Sequence, residues 1–308
     1  MSFNEKLAGF ATPISIEPSS TSYFSHDLPT LDPLLFHGNS MVGSVRNNVL
    51  MVLFNHLRAY YYNPEAYVQA WIAGSGVSYQ WAAHRDPGDL DCLVGIDFVA
   101  FRRANAAYEG LSNHEIADML NDDFRTFLWP QTENFMGAFE LTFYVNVASD
   151  IKVIKPYAAY SLTNDGWTVE PTHRVAPDNP SWKLKSDRDL SMGQTIVDRY
   201  SEALAQLSTS KVSTRVNAEA KIKMAADQGS ALFDDIHSGR KFAFSENGSG
   251  YEDYNNYRWQ AGKKSGLIHA LRTLKDISEK TRQEFDKQTY GVELPDTSTL
   301  IRRALHRN

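Results

Sequence analysis

Two aspartates spaced two residues apart, Asp89 and Asp91, open an apolar run that extends to Phe98. In a strand, alternate side chains share a face, so Asp89, Asp91 and Leu93 point one way and Leu90, Cys92 and Val94 the other. The two carboxylates then stand roughly 7 Å apart along one strand face. Like charges that close repel each other unless a cation sits between them. A hard divalent cation, Mg²⁺ or Mn²⁺, suits clustered carboxylate oxygens. The spacing therefore proposes a metal site.

Upstream, the apolar run Val68 to Ala73 stops at Gly74-Ser75-Gly76. Glycines let the backbone turn tightly and approach a ligand closely. A short helix starting near Ser75 would present free amides and a hydroxyl to an anion such as phosphate. A phosphate cradle beside a carboxylate-held metal fits a nucleoside triphosphate bound as its metal complex.

These residues resemble the DNA polymerase β-like nucleotidyltransferases, among them uncharacterised phage and bacterial members. The signature of that superfamily is a strand ending in Gly-Ser, a short helix, a strand bearing Asp-x-Asp, and a third acid on a neighbouring strand. Gly74-Ser75 matches the first part and Asp89-Leu90-Asp91 the second. Glu140, within GAFELTFYVNV, answers for the third acid, with Asp97 and Asp150 as the lesser candidates. A charge in so apolar a strand needs a partner, although a solvent-facing glutamate on an edge strand is the plainer alternative. The resemblance implies two divalent ions, both held by Asp89 and Asp91, with Glu140 holding the one that activates the attacking hydroxyl. Such ions stand roughly 3.5–4 Å apart. It also implies that Ser75 orients the β- and γ-phosphates.

Further phosphate contacts are expected from Lys152, with Lys155 nearby, and from His84 and Arg85 in the loop entering the acidic strand. A second stretch, GYEDYNNYRWQAGKKSG, mixes aromatics with cations, a pattern suited to base stacking and phosphate contact. Tyr257, Gln260, Ala261 and Lys264 fall on one helical face there, flanked by Arg258 and Lys263. The alternative is that Tyr257 and Trp259 pack into a helical core while the cations stay wet.

The elements that must position these groups follow from periodicity. Val45, Val49, Val52 and Leu53 recur at helical spacing after Ser44, an expected N-cap, and Asn63-Pro64 closes that helix. Ser112 with Glu115 three residues on forms a capping-box pattern for a helix over 114–126. Asn164-Asp165-Gly166 predicts a turn between two short strands. Residues 171–187 hold three prolines and read as a linker. Beyond them the pattern predicts helices over 189–207, 216–237 (closed by Gly239) and 257–287, and a tail helix after Pro295.

The expected fold is α/β: an extended arm (1–30), a mixed-sheet, palm-like nucleotidyltransferase domain (31–175) and a helical C-terminal domain (188–308). The 308 residues carry a net charge of −6, with −9 over residues 1–200 and +3 over residues 201–308. That balance argues against tight binding of duplex DNA. No apolar run reaches the roughly 20 residues of a membrane helix. A single cysteine, Cys92, and the lack of a signal-peptide pattern fit a cytoplasmic protein. No GxxxxGK[ST] loop, HxxxH pair or CxxC is present. The function expected is transfer of a nucleoside monophosphate from an NTP to an acceptor hydroxyl, an RNA 3′ end being favoured. A small molecule or protein acceptor, and a non-catalytic binding module of the same fold, are the alternatives. Oligomeric state is left open by the sequence.

Overall fold

The computed structural model describes residues 11–18, 23–24, 27–82, 87–147, 150–207 and 212–291. The chain is α/β, and it divides into two compact units. The first comprises Ser25–Val175 with Phe244–Glu246, and the second Met1–Phe24, Ala176–Ala243 and Asn247–Pro295, each in its described residues.

The sheet-bearing unit opens with a small hairpin, β1 (Phe36–His37) and β2 (Ser40–Met41), followed by α1 (Gly43–Tyr60). Then come β3 (Val68–Ala73), β4 (Gly88–Ile96), α2 (Phe98–Ala104) and α3 (Asn113–Asp123). Finally β5 (Phe139–Asn146), β6 (Ala159–Ser161) and β7 (Gly166–Val169) complete a five-stranded sheet of order β5-β4-β3-β6-β7. β4 and β5 run parallel and the other neighbours antiparallel, so the sheet is mixed. The parallel pair needs a crossover, which α2 and α3 supply.

Alternation along the strands sets the core. Leu90, Cys92 and Val94 of β4 and Leu141, Phe143 and Val145 of β5 are buried in one cluster with Val45, Val49 and Leu53 of α1 and Ile116 and Leu120 of α3. Burial, then the charge of Asp91, raises the pKa of Cys92, so its thiol stays protonated as a small core hydrophobe. The capping box of α3 forms: Ser112 Oγ accepts from the Glu115 amide, and the Glu115 carboxylate accepts from the Ser112 amide. Ser44 is not a cap. Helix α1 begins at Gly43, two residues before the start that a Ser44 cap implies, behind Val42 and with no side-chain cap. The 164–166 turn joins β6 to β7 as expected, with Asp165 at positive φ.

The second unit is helical: α4 (Pro180–Leu207), α5 (Val212–Ala243), α6 (Tyr254–Ser265) and α7 (Leu267–Tyr290). Three boundaries differ from the sequence reading. Helix α4 starts inside the proline-rich 171–187, because Asn179 Oδ1 accepts from the Ser181 and Trp182 amides and Pro180 stands at the first helical position. Helix α5 runs past Gly239 to Ala243, since nothing turns the backbone left-handed there. The single helix expected over 257–287 is two, broken at Gly266 with φ +84°. The described part of the N-terminal arm is not free of packing: Ile14 and Ile16 lie against the core of Ile196, Tyr200, Ile222, Ile236 and Leu271. The tail helix expected after Pro295 lies outside the described residues. Among the described residues no helix is long and apolar enough to cross a membrane.

His237 of α5 carries a pH consequence. Burial first, then Lys241, Arg240, Lys275 and Arg272, push its pKa from 6.5 down to about 4. Between those values the unfolded chain binds a proton that the folded chain refuses. Stability is therefore undiminished above the unfolded pKa and falls as pH drops toward 4. The ring is partly exposed, so screening limits the loss to about 1 kcal/mol. A His237→Gln variant should lose less Tm than the parent between pH 6.5 and 4. Identical pH profiles would clear His237 of the effect.

Candidate active site

The parallel register of β4 and β5 sets Asp89 directly beside Glu140, Asp91 beside Thr142 and Leu93 beside Tyr144. Neighbouring strands stand about 4.8 Å apart. The third acid of the sequence reading is thus adjacent to the first, on the face opposite the core. Asp89 and Glu140 are exposed and Asp91 is partly buried. Thr142 Oγ1 donates to Asp91 Oδ1 at 3.2 Å, which orients that carboxylate.

On the other side of β4, Ala73, the last residue of β3, pairs with Asp91. The chain then turns through Gly74, with φ +95° and ψ −156°, into a single 3₁₀ turn over Ser75–Val77. A Cβ on Gly74 would lie 3.6 Å from Asp91 Oδ2, so the glycine sits against the carboxylate. A Cβ on Gly76 would meet the Asp89 carbonyl oxygen at 2.8 Å, closer than real Cβ contacts. Both glycines therefore bring the turn up to the acidic strand. Ser75 is partly exposed, and its carbonyl accepts from the Ser78 amide and hydroxyl, at 3.1 and 3.0 Å.

β5 is an edge strand, and its outward backbone is held by the segment before it. The Leu141 amide donates to the Thr132 carbonyl, and the Leu141 carbonyl accepts from Thr132 Oγ1 at 2.6 Å. The Phe143 carbonyl accepts from Trp129 Nε1, and Asn121 bridges both the amide and the carbonyl of Val145. A one-residue slip would turn Glu140 into the core, and these bonds fix the register against it. Tyr144, on the acid face and packed edge-on against Trp129, has its pKa raised by burial and then by Asp91. Its hydroxyl therefore stays a donor. Thr142 and Tyr144 are the site residues that the sequence left unassigned, although strand alternation already set them on the face of Glu140.

No protein-family model, curated protein or solved structure matches this chain.

Lys152 is exposed, on a turn whose Ile151 packs with Trp71, Ala73 and Ala159. Lys155 Nζ donates to the Glu246 carbonyl. Asp97 is a helix cap, accepting from the Val99 and Ala100 amides at 3.0 Å each, and Asp150 accepts from the Lys152 amide. His84 and Arg85 lie outside the described residues.

In the helical unit, Tyr257 is 7 % exposed and packs edge-on against Phe24 and Trp182. Its ring is engaged in packing rather than presented to a base. Lys264 Nζ lies over the Phe24 ring at 5.2 Å. Arg258 is paired with Asp189 and Asp235, so it is not the free phosphate contact that the sequence suggested.

The donor chemistry at the sheet, three carboxylates with a threonine hydroxyl on one of them, is all hard oxygen and fits Mg²⁺ or Mn²⁺. Among the described residues, no group of three or more His, Cys, Asp or Glu side chains is placed to hold a metal ion. Adjacency here comes from backbone register.

Proposed function

We propose that this chain is a metal-dependent nucleotidyltransferase with a palm-like sheet, transferring a nucleoside monophosphate from an NTP to an acceptor hydroxyl. The observation that carries the reading is the pairing of Asp89 with Glu140, with the Gly74-Ser75 turn against Asp91. Asp89, Asp91 and Glu140 would hold two divalent ions, which when bound neutralise phosphate charge and activate the attacking hydroxyl. Thr142 fixes the Asp91 carboxylate through its hydrogen bond. Ser75 and the amides of its turn orient the terminal phosphates, and Lys152 supplies a cation on the same unit. Catalysis is then mainly positioning and charge neutralisation.

The test is incubation with each α-labelled NTP and Mg²⁺, with total RNA, with small hydroxyl acceptors, or with protein alone. Transfer of label with release of pyrophosphate is the expected result, RNA ends being the acceptor tried first. Ser75→Ala should raise the KM for NTP about tenfold or more, the loss of one charge-assisted hydrogen bond of roughly 1.5–3 kcal/mol. Its Tm should stay unchanged. Unaltered kinetics would reduce Ser75 to a turn residue, and no labelled product with any acceptor would remove the activity.

A further inference from the structure

Helices α5 and α7 place four cations around one aromatic cluster. Phe233, His237 and Trp259 form a closed trio, with ring centroids 5.4 Å (Phe233–His237), 5.5 Å (His237–Trp259) and 6.1 Å (Phe233–Trp259) apart. The Arg240 guanidinium lies over Trp259 at 4.7 Å, and Arg272 and Lys275 lie over Phe233 at 5.9 and 5.4 Å. Lys241 adjoins Arg240 and is exposed. Lys275 is neutralised by Asp234 at 2.6 Å and Glu279 at 3.7 Å. Arg240, Lys241 and Arg272 have no carboxylate partner among the described residues.

Charged side chains of like sign are costly to gather, so Arg240 and Arg272 on one aromatic floor, with Lys241 beside Arg240, call for an anion. Phe233 and Trp259 are 5 % and 3 % exposed, so their faces hold the cations in place rather than stacking bases. With its guanidinia pre-oriented, such a surface recognises phosphate oxygens by forked N–H donation. We infer that the Arg240–Lys241–Arg272 surface binds consecutive phosphates of a single-stranded oligonucleotide, without reading its bases. An anionic membrane is the weaker match, because Phe233 and Trp259 are buried beneath the cations and leave Phe242, beside Lys241, as the exposed aromatic of that stretch of α5. This surface is separate from the aromatic and basic stretch 254–264 singled out in the sequence, of which only Trp259 takes part. The inference does not depend on nucleotidyl transfer.

The experiment is fluorescence anisotropy of a labelled 12-nucleotide poly(U), without NTP or divalent metal, over a salt series. Three phosphate contacts on a single strand give a log–log slope of about −2. Arg240→Gln/Arg272→Gln should flatten it to about −0.7 and weaken binding at least tenfold at low salt. Arg240→Lys/Arg272→Lys should restore most of the slope, which a merely structural role for the stems would not explain. Lys263→Ala/Lys264→Ala and Asp91→Asn should bind as the parent does, so transfer activity can fail while this result stands. Absent salt-dependent binding, or an unchanged slope in the glutamine pair with parental Tm, would overturn the inference. Equal affinity for inorganic tripolyphosphate, or preference for phosphatidylserine vesicles over the oligonucleotide, would overturn the oligonucleotide assignment.

Discussion

Asp91→Asn is expected to abolish nucleotidyl transfer while leaving the protein folded with an equal or slightly higher Tm. Asp91 lies between Ala73 and Thr142 in the sheet register, with the Gly74 turn against its carboxylate, so it is the acid that both halves of the site share. Losing one pre-organised charge from a transition-state site costs about 10²–10³-fold in kcat. In the proposed site Asp91 would serve both ions, so its loss should reach at least the upper end. Stability should not suffer, because the amide can still accept from Thr142 and one of three crowded negative charges is gone. The paired measurements are single-turnover transfer with saturating NTP and thermal melting. Activity within a few-fold of the parent would end the metal assignment. A collapse in Tm would instead make Asp91 a structural residue.

Gly74→Ala should damage both stability and turnover. At φ +95° and ψ −156° the backbone occupies a region essentially reserved for glycine, and a side chain there costs about 1–3 kcal/mol. Space is not the obstacle, since the new Cβ would sit at an ordinary 3.6 Å from Asp91 Oδ2. Relief of the strain must rotate the turn, moving the Ser75 amides away from the acids. A misplacement of about 1 Å is worth about a hundredfold in rate. Gly76→Ala should be worse for stability, because its Cβ would meet the Asp89 carbonyl at 2.8 Å and backbone cannot swing aside. Melting curves and kcat for both variants decide this. Parental Tm for Gly74→Ala would show that the turn tolerates other conformations and does not hold Ser75 in place.

The acids were legible in the sequence because a strand repeats every two residues. Alternation alone set Asp89 and Asp91 on one face with Leu90 and Cys92 on the other, and Glu140 on one face with Thr142 and Tyr144; the structure leaves Glu140 exposed on an edge strand, the plainer alternative for that residue. What alternation cannot state is which strands are neighbours. The adjacency of Asp89 and Glu140 depends on a parallel pairing across 51 positions, fixed by the packing of α2 and α3 and not by any local signal. In the helical unit the reading failed where tertiary packing outweighed local punctuation. Gly239 looked like a stop, but α5 continues to Ala243. Gly266 looked unremarkable, yet it breaks the chain between α6 and α7. Of the cations in 257–264, Arg258 is consumed by two aspartates, and a further set, Arg240, Lys241 and Arg272, is brought together from α5 and α7 only by folding.

An exposed edge strand ordinarily offers a row of free amides and carbonyls on which another chain can add a strand. Here Thr132, Trp129 and Asn121 occupy that row along Leu141, Phe143 and Val145. The acid-bearing end of the sheet is thereby closed to β-augmentation and to edge-to-edge aggregation. Strand addition beside Glu140 would first have to displace those bonds.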